Sequence, residues 1–179
     1  MLVLIDAATE RLLATARGFG DDVRQPSSLP GWTCGHVLTH LARGGEAIGR
    51  LLDGVRTGVP GQAYAGQEER DEAIERGAGR GAAEPVADLT ASAERFRDAA
   101  AAVPADAWGR PVRGLVGDPF PARQLLQRRL VELELHHADL DAGYTTDDWL
   151  EEFVGMDLPE PMRREREERR SWRGSASSR

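Results

Sequence analysis

A chain of 179 residues, 40% of them hydrophobic, can bury one ordinary core without disulfide or metal staples. Its formal net charge of −7 argues against a nucleic-acid partner, since phosphate contacts need clustered basic charge. The single cysteine, Cys34, excludes an intrachain disulfide and makes a reducing cytoplasm the expected setting. No run approaches the roughly 18 apolar residues of a membrane helix, so no membrane partner is expected. Met1–Ile5 is apolar but short, and Asp6, Glu10 and Arg11 follow it at once, so it reads as neither signal peptide nor anchor. All 23 basic residues are arginine, a usage that suits a GC-rich genome.

Leu2–Arg17 has Leu2, Ile5, Leu12, Leu13 and Ala16 at helical spacing, and Gly18 and Gly20 follow as terminators. Asp21–Leu29 reads as a polar connection. Pro30-Gly31-Trp32-Thr33 is a turn into a second helix, with Thr33 as N-cap and an expected end near Asp53. Val37, Leu38, Leu41, Ile48, Leu51 and Leu52 share an arc of roughly 60° to 200° when His36 is set at zero. His40 lies at its border, at about 40°, and His36 lies further toward solvent. Gly54–Gly66 is a long connection, and Gln67–Arg76 a short polar helix. Glu84–Val103 is a helix with Pro85 in its first turn and a stripe of Val86, Leu89, Ala93, Phe96, Ala100 and Val103. Trp108–Pro121 is an irregular loop.

Arg123–Gly143 is the last long helix. With Glu132 at zero, Leu125, Leu126, Leu130, Leu133 and Leu140 span roughly 20° to 160°. Glu132 and His136 border that arc. His137 falls at about 140° and Arg129 at about 60°, while Glu134, at about 200°, should face solvent. Thr145–Val154 suggests one more short helix. Pro159–Arg179 is proline, mixed charge and Ser/Gly without a sustained apolar stripe, and is expected to be disordered. Four long helices without strand alternation predict an all-α four-helix bundle over residues 1–154, with a disordered charged tail over 155–179.

The four histidines form two pairs, His36/His40 and His136/His137, one on each of two helices. Imidazole and carboxylate are the ligands that Zn²⁺ and its first-row neighbours take. Glu132 and His136, four apart, project together, and His40 from the other helix can complete three protein ligands. Three ligands leave an open position, the pattern of a catalytic site. The competing reading has His40 and His136 as hydrogen-bonded border residues and Glu132 paired with Arg129. His36 and His137 read as supporting or surface residues, and Asp139 as a group able to orient an imidazole. Cys34, in the first turn of its helix, reads as an inert small residue, and Trp32 and Trp108 as packing residues.

Two stretches together resemble a known family. Pro26-Ser-Ser-Leu-Pro-Gly-Trp-Thr-Cys-Gly-His-Val-Leu-Thr-His-Leu-Ala42 and Arg129-Leu-Val-Glu-Leu-Glu-Leu-His-His-Ala-Asp-Leu140 resemble the signatures of mycothiol-dependent maleylpyruvate isomerases, within the DinB-like metalloenzyme superfamily. Tyr64, Arg70 and Ile74 fall where similar sequences carry a Tyr…Arg…Ile segment. The resemblance covers Met1–Val154. It implies a DinB-like bundle of up-down-down-up or similar topology. It also implies His40, Glu132 and His136 as ligands, normally for Zn²⁺ or another divalent first-row metal. Mycothiol, the low-molecular-weight thiol of actinobacteria, is the implied cosubstrate, activated for isomerisation or for S-transfer to a small-molecule electrophile. The isomerases carry a further C-terminal domain for which residues 155–179 leave no length. A non-catalytic metal-binding bundle and a hydrolase using Zn-bound water are the alternatives, and a homodimer is the oligomer kept open.

Overall fold

The computed structural model describes residues 1–20, 23–81 and 83–174. Its long helices are α1 (Leu2–Arg17), α2 (Cys34–Thr57), α4 (Ala83–Ala101) and α5 (Gln124–Asp139), with α3 (Gln67–Ala78) between α2 and α4. α2 packs on α4 and α5, and α1 packs on α4 and α5, which closes the four long helices into a ring. This is the predicted all-α four-helix bundle. Each helix turns its apolar stripe inward: Ile5, Leu12 and Leu13 of α1, Leu38, Leu41 and Leu52 of α2, Leu89 and Phe96 of α4, and Leu125, Leu130 and Leu133 of α5 are each at most 2% exposed. Every such residue adds roughly 1.5–3 kcal/mol of transfer free energy to the folded state.

The start of α2 is decided locally. Thr33 is the N-cap, its side chain accepting from the His36 amide, while the Thr33 amide donates to His36 Nδ1 at 3.1 Å. The box is closed by a histidine where glutamate or glutamine is usual. α2 runs four residues past the expected end at Asp53, because Leu51, Leu52 and Val55 continue its buried face. It stops at Gly58, whose φ of 77° suits glycine. Opposite Gly45 of α2 lies the guanidinium of Arg129. A Cβ at position 45 would sit 3.3 Å from Arg129 Cζ, so the missing side chain makes room for a charge in the bundle interior.

α5 ends at Asp139 rather than Gly143. The Asp139 carbonyl accepts from the Ser28 amide at 2.9 Å, the Leu140 carbonyl accepts from Cys34 Sγ at 3.5 Å, and Asp141 turns the chain with a φ of 51°. The segment 108–121, read as irregular, begins in the end of a 3₁₀ turn (Ala105–Gly109) and holds a two-residue antiparallel ladder of β1 (Pro111–Val112) with β2 (Phe120–Pro121). Thr145–Val154 divides into a 3₁₀ turn (Thr146–Asp148) and α6 (Glu151–Val154).

The expectation of a disordered tail over 155–179 is corrected. Met162–Gly174 forms α7, which packs against α5. Residues 175–179, and Asp21 and Asp22 in the connection after α1, lie outside the described residues. Met162 is buried, and Arg166 Nη1 donates to the carbonyls of Phe153 at 2.7 Å and Met156 at 2.8 Å. α7 is thus held by polar anchors to the preceding segment, which a search for an apolar stripe does not detect. No helix among the described residues is long and apolar enough to cross a membrane.

Candidate metal centre

His40 of α2 meets Glu132 and His136 of α5 at the floor of a pocket of about 630 Å³, a size suited to a small molecule. His40 Nε2 lies 2.8 Å and His136 Nε2 lies 3.3 Å from the same oxygen, Glu132 Oε2. The ligand atoms of the three residues all lie within 4.8 Å of one another, the one such group of His, Cys, Asp or Glu among the described residues. The two imidazoles stand edge to face, 4.7 Å between centroids. Glu132 keeps 44% of its side chain exposed to the pocket, whereas His40 is 10% exposed. The carboxylate is therefore the accessible member of the trio.

Each ring has its own support. His136 Nδ1 donates to Asp139 Oδ2 at 2.8 Å, and Asp139 is fully buried. That bond directs Nε2 into the pocket. Arg70 of α3 donates to His40 Nδ1 at 3.2 Å, and the Trp32 ring meets His40 edge-on at 5.7 Å. A guanidinium only donates, so His40 carries its proton on Nε2, where Glu132 accepts it.

The electrostatics follow from these contacts. Burial lowers the His40 pKa, against the raising effect of Glu132, and leaves the ring neutral. Burial opposes the charge on His136 too, but hydrogen bonds to Asp139 and Glu132 outweigh it and push the pKa up to about 9. Although 44% of the Glu132 side chain is open to the pocket, the protein packed around the carboxyl partly desolvates it, and hydrogen bonds from His136 and His40 outweigh that and hold the carboxyl well below the usual range. Asp139, buried but bonded to His136 and Arg169, is held at about 2. Two N–H groups thus converge on one carboxylate oxygen. A divalent cation at that point would displace the His136 Nε2 proton and leave the one His40 proton to Nδ1. The donor set of two imidazole nitrogens and a carboxylate oxygen, one imidazole backed by a second carboxylate, fits a first-row ion with an open position.

The other polar residues separate cleanly from this group. His36 is spent on the helix cap, and its Nε2 faces Glu75 at 3.4 Å. His137 is 2% exposed, bonded to Thr15 Oγ1 at 2.8 Å and stacked on Tyr144. Burial, aided by Arg11, pulls its pKa down to about 4, so it is a neutral core residue. Glu134, expected to face solvent, is 1% exposed: Arg11 donates to it at 2.6 Å and the Tyr144 hydroxyl also donates to it. α5 is covered on both sides, by the bundle on one and by the segment carrying Tyr144 and Trp149 on the other, so it has no solvent face there. Arg129 donates to the Leu41 carbonyl at 2.7 Å and acts on Glu132 only at longer range, so the Arg129–Glu132 pair of the competing reading is not formed among the described residues. Cys34 is buried away from the trio. The pocket walls include Ser28 and, from α7, Glu165, Glu168 and Arg169. None of these was singled out from the sequence. The α7 groups carry no motif, and only their place in the fold brings them here.

A helical bundle with a His-Glu-His cluster at an open pocket defines a class of candidate metalloprotein. The family model described as the mycothiol maleylpyruvate isomerase N-terminal domain matches residues 5–141. The chain belongs to that family. A crystal structure of the mycothiol-dependent maleylpyruvate isomerase is similar at 27% identity and a TM-score of 0.82, over 86% of this chain and 64% of that one. A mutant of that isomerase is similar at 26% identity, with the same TM-score and coverage. The chain therefore spans about 64% of the length of the solved isomerases it matches. No curated protein matches it.

Proposed function

We propose that this chain is a metal-dependent, mycothiol-using enzyme that activates the thiol for isomerisation of, or transfer to, a small electrophile. The observation that carries the reading is the convergence of His40, Glu132 and His136 on one point at the floor of an open pocket. The family match and the relative's printed name support mycothiol as the thiol. When bound, a divalent ion such as Zn²⁺ lowers the pKa of a coordinated thiol, so that thiolate is available at neutral pH.

The chain's own residues divide the remaining work. Glu132, the exposed carboxylate, and the Nε2 atoms of His40 and His136 would hold the ion. Asp139 fixes the His136 ring and its tautomer. Arg70 pairs with His40 Nδ1 only in the metal-free form, because coordination through Nε2 puts the remaining proton on Nδ1. The open pocket side admits both thiol and electrophile, and a cytoplasmic setting keeps such a thiol reduced.

Metal analysis of the purified protein beside a His136→Ala variant tests the reading. A stoichiometric divalent ion lost in the variant is expected, and equal, near-zero metal in both overturns it. The alternative reading is a metal-binding bundle that acts by association. Conjugation of mycothiol to a panel of electrophiles separates the two, since zinc-dependent turnover excludes the binding-only reading. Turnover without added thiol would indicate hydrolysis instead.

A further inference from the structure

α7 lies beyond the residues that the family model matches, yet it forms one wall of the metal pocket. Its Arg169 reaches Asp139, the carboxylate that orients His136. Arg169 Nη2 donates to Oδ2 at 3.0 Å and Nη1 pairs with Oδ1. Asp139 also accepts from His136 Nδ1 on Oδ2 at 2.8 Å and from Ser28 Oγ on Oδ1 at 3.0 Å. A carboxylate offers about four lone-pair sites. Here four donors use them, and the side chain is 0% exposed. The two parallel bonds of a guanidinium fix the plane of a carboxylate as one point charge cannot. With that plane fixed, the His136 ring is fixed.

We propose that Arg169 is a positioning residue of the metal centre, acting through Asp139 to aim His136 Nε2, so that the C-terminal helix is an integral part of the site. The inference rests on the metal-centre reading above. Arg169 is not what docks α7. Met162 and Arg166, earlier in the helix, carry the buried contact and the hydrogen bonds to Phe153 and Met156. Arg169 itself is 31% exposed and touches the core only through Asp139 among the hydrogen bonds it makes. The effect of losing Arg169 on the metal is therefore separable from its effect on the fold.

The test is zinc affinity of the full chain, measured by competition with a chromophoric chelator at fixed pH, for wild type, Arg169→Gln, Arg169→Lys and Arg163→Gln. Arg163 is the control: it lies on α7 and pairs with exposed Glu160. Metal-free melting temperatures are measured alongside. Arg169→Gln should weaken zinc binding about tenfold or more, the usual range for the outer partner of a ligand. Arg169→Lys should recover part of the loss, and Arg163→Gln should bind like wild type. Without metal, Arg163→Gln should melt within about 2 °C of wild type, while Arg169→Gln, which leaves buried Asp139 short of a partner, should melt lower yet remain cooperatively folded at the assay temperature. Wild-type affinity in Arg169→Gln overturns the inference alone. So does an equal loss in Arg163→Gln accompanied by a lower metal-free melting temperature, which would mark a general role of α7 in folding. A wild-type protein that binds no zinc removes the metal-centre reading and this inference with it.

Discussion

His136 shows how one side chain is set by three neighbours. Its Nδ1 belongs to Asp139, its Nε2 faces Glu132, and the two carboxylates lift its pKa to about 9 against the opposing effect of burial. A pKa raised above the unfolded value contributes stability that is fully present below about 6.5 and is lost as pH rises through about 9. The same proton competes with a metal. Zinc affinity of the wild type should therefore rise about tenfold per pH unit between pH 6 and 8 and level off near 9, as one proton is displaced. Chelator competition across that range checks it, and a flat profile would contradict the assignment of that proton. His40, lowered by burial, adds no second proton to the count. His136→Ala should retain the fold, since the ring is 19% exposed at the pocket, and lose most of the metal.

The helices carry the site by different means. α2 is begun by its own sequence, through Thr33 and His36. Thr33→Ala should cost about 1 kcal/mol in denaturant unfolding, with zinc binding unchanged, because the cap lies about two helical turns before His40. Deep in the same helix Leu52 is 0% exposed, and Leu52→Ala should cost about 2–5 kcal/mol. The His40 face and the leucine face of α2 are adjacent, as helical phase predicts. α5 is harder to read. Its arc of leucines places Glu132 and His136 at a border, and the structure brings them there. The same arithmetic sends Glu134 to solvent, whereas a segment 10–15 residues further along covers it with Tyr144 and Trp149. A helix wrapped on two sides has no solvent face, and periodicity assumes one.

At the scale of the molecule, the ring of α1, α4, α2 and α5 sets the distance between His40 and the α5 pair. Any ligand that bridges α2 and α5 in the native state alone should stabilise the fold by mass action. With zinc at about a thousandfold excess over its dissociation constant the gain is about 4 kcal/mol, and thermal melting with zinc against a chelator measures it. No shift in melting temperature would argue that the three groups hold no ion. α7 adds a second layer outside the ring. Besides buried Met162, its contacts come from arginines reaching carbonyls and a carboxylate.

The amino-acid sequence by itself determined the four long helices, their apolar faces, the cap of α2 and the pairing of Glu132 with His136 on one face, because all of these are local and the faces repeat with the turn of a helix. It also marked Asp139 as a partner for an imidazole, three residues from His136 on the same helix. The tertiary structure alone decided that His40 meets that pair across 92 residues of chain, that Glu134 and His137 are interior, and that α7 folds back to place Arg169 on Asp139. Those contacts depend on where separate elements come to rest. Charged side chains that pair in three dimensions leave no periodic trace in one.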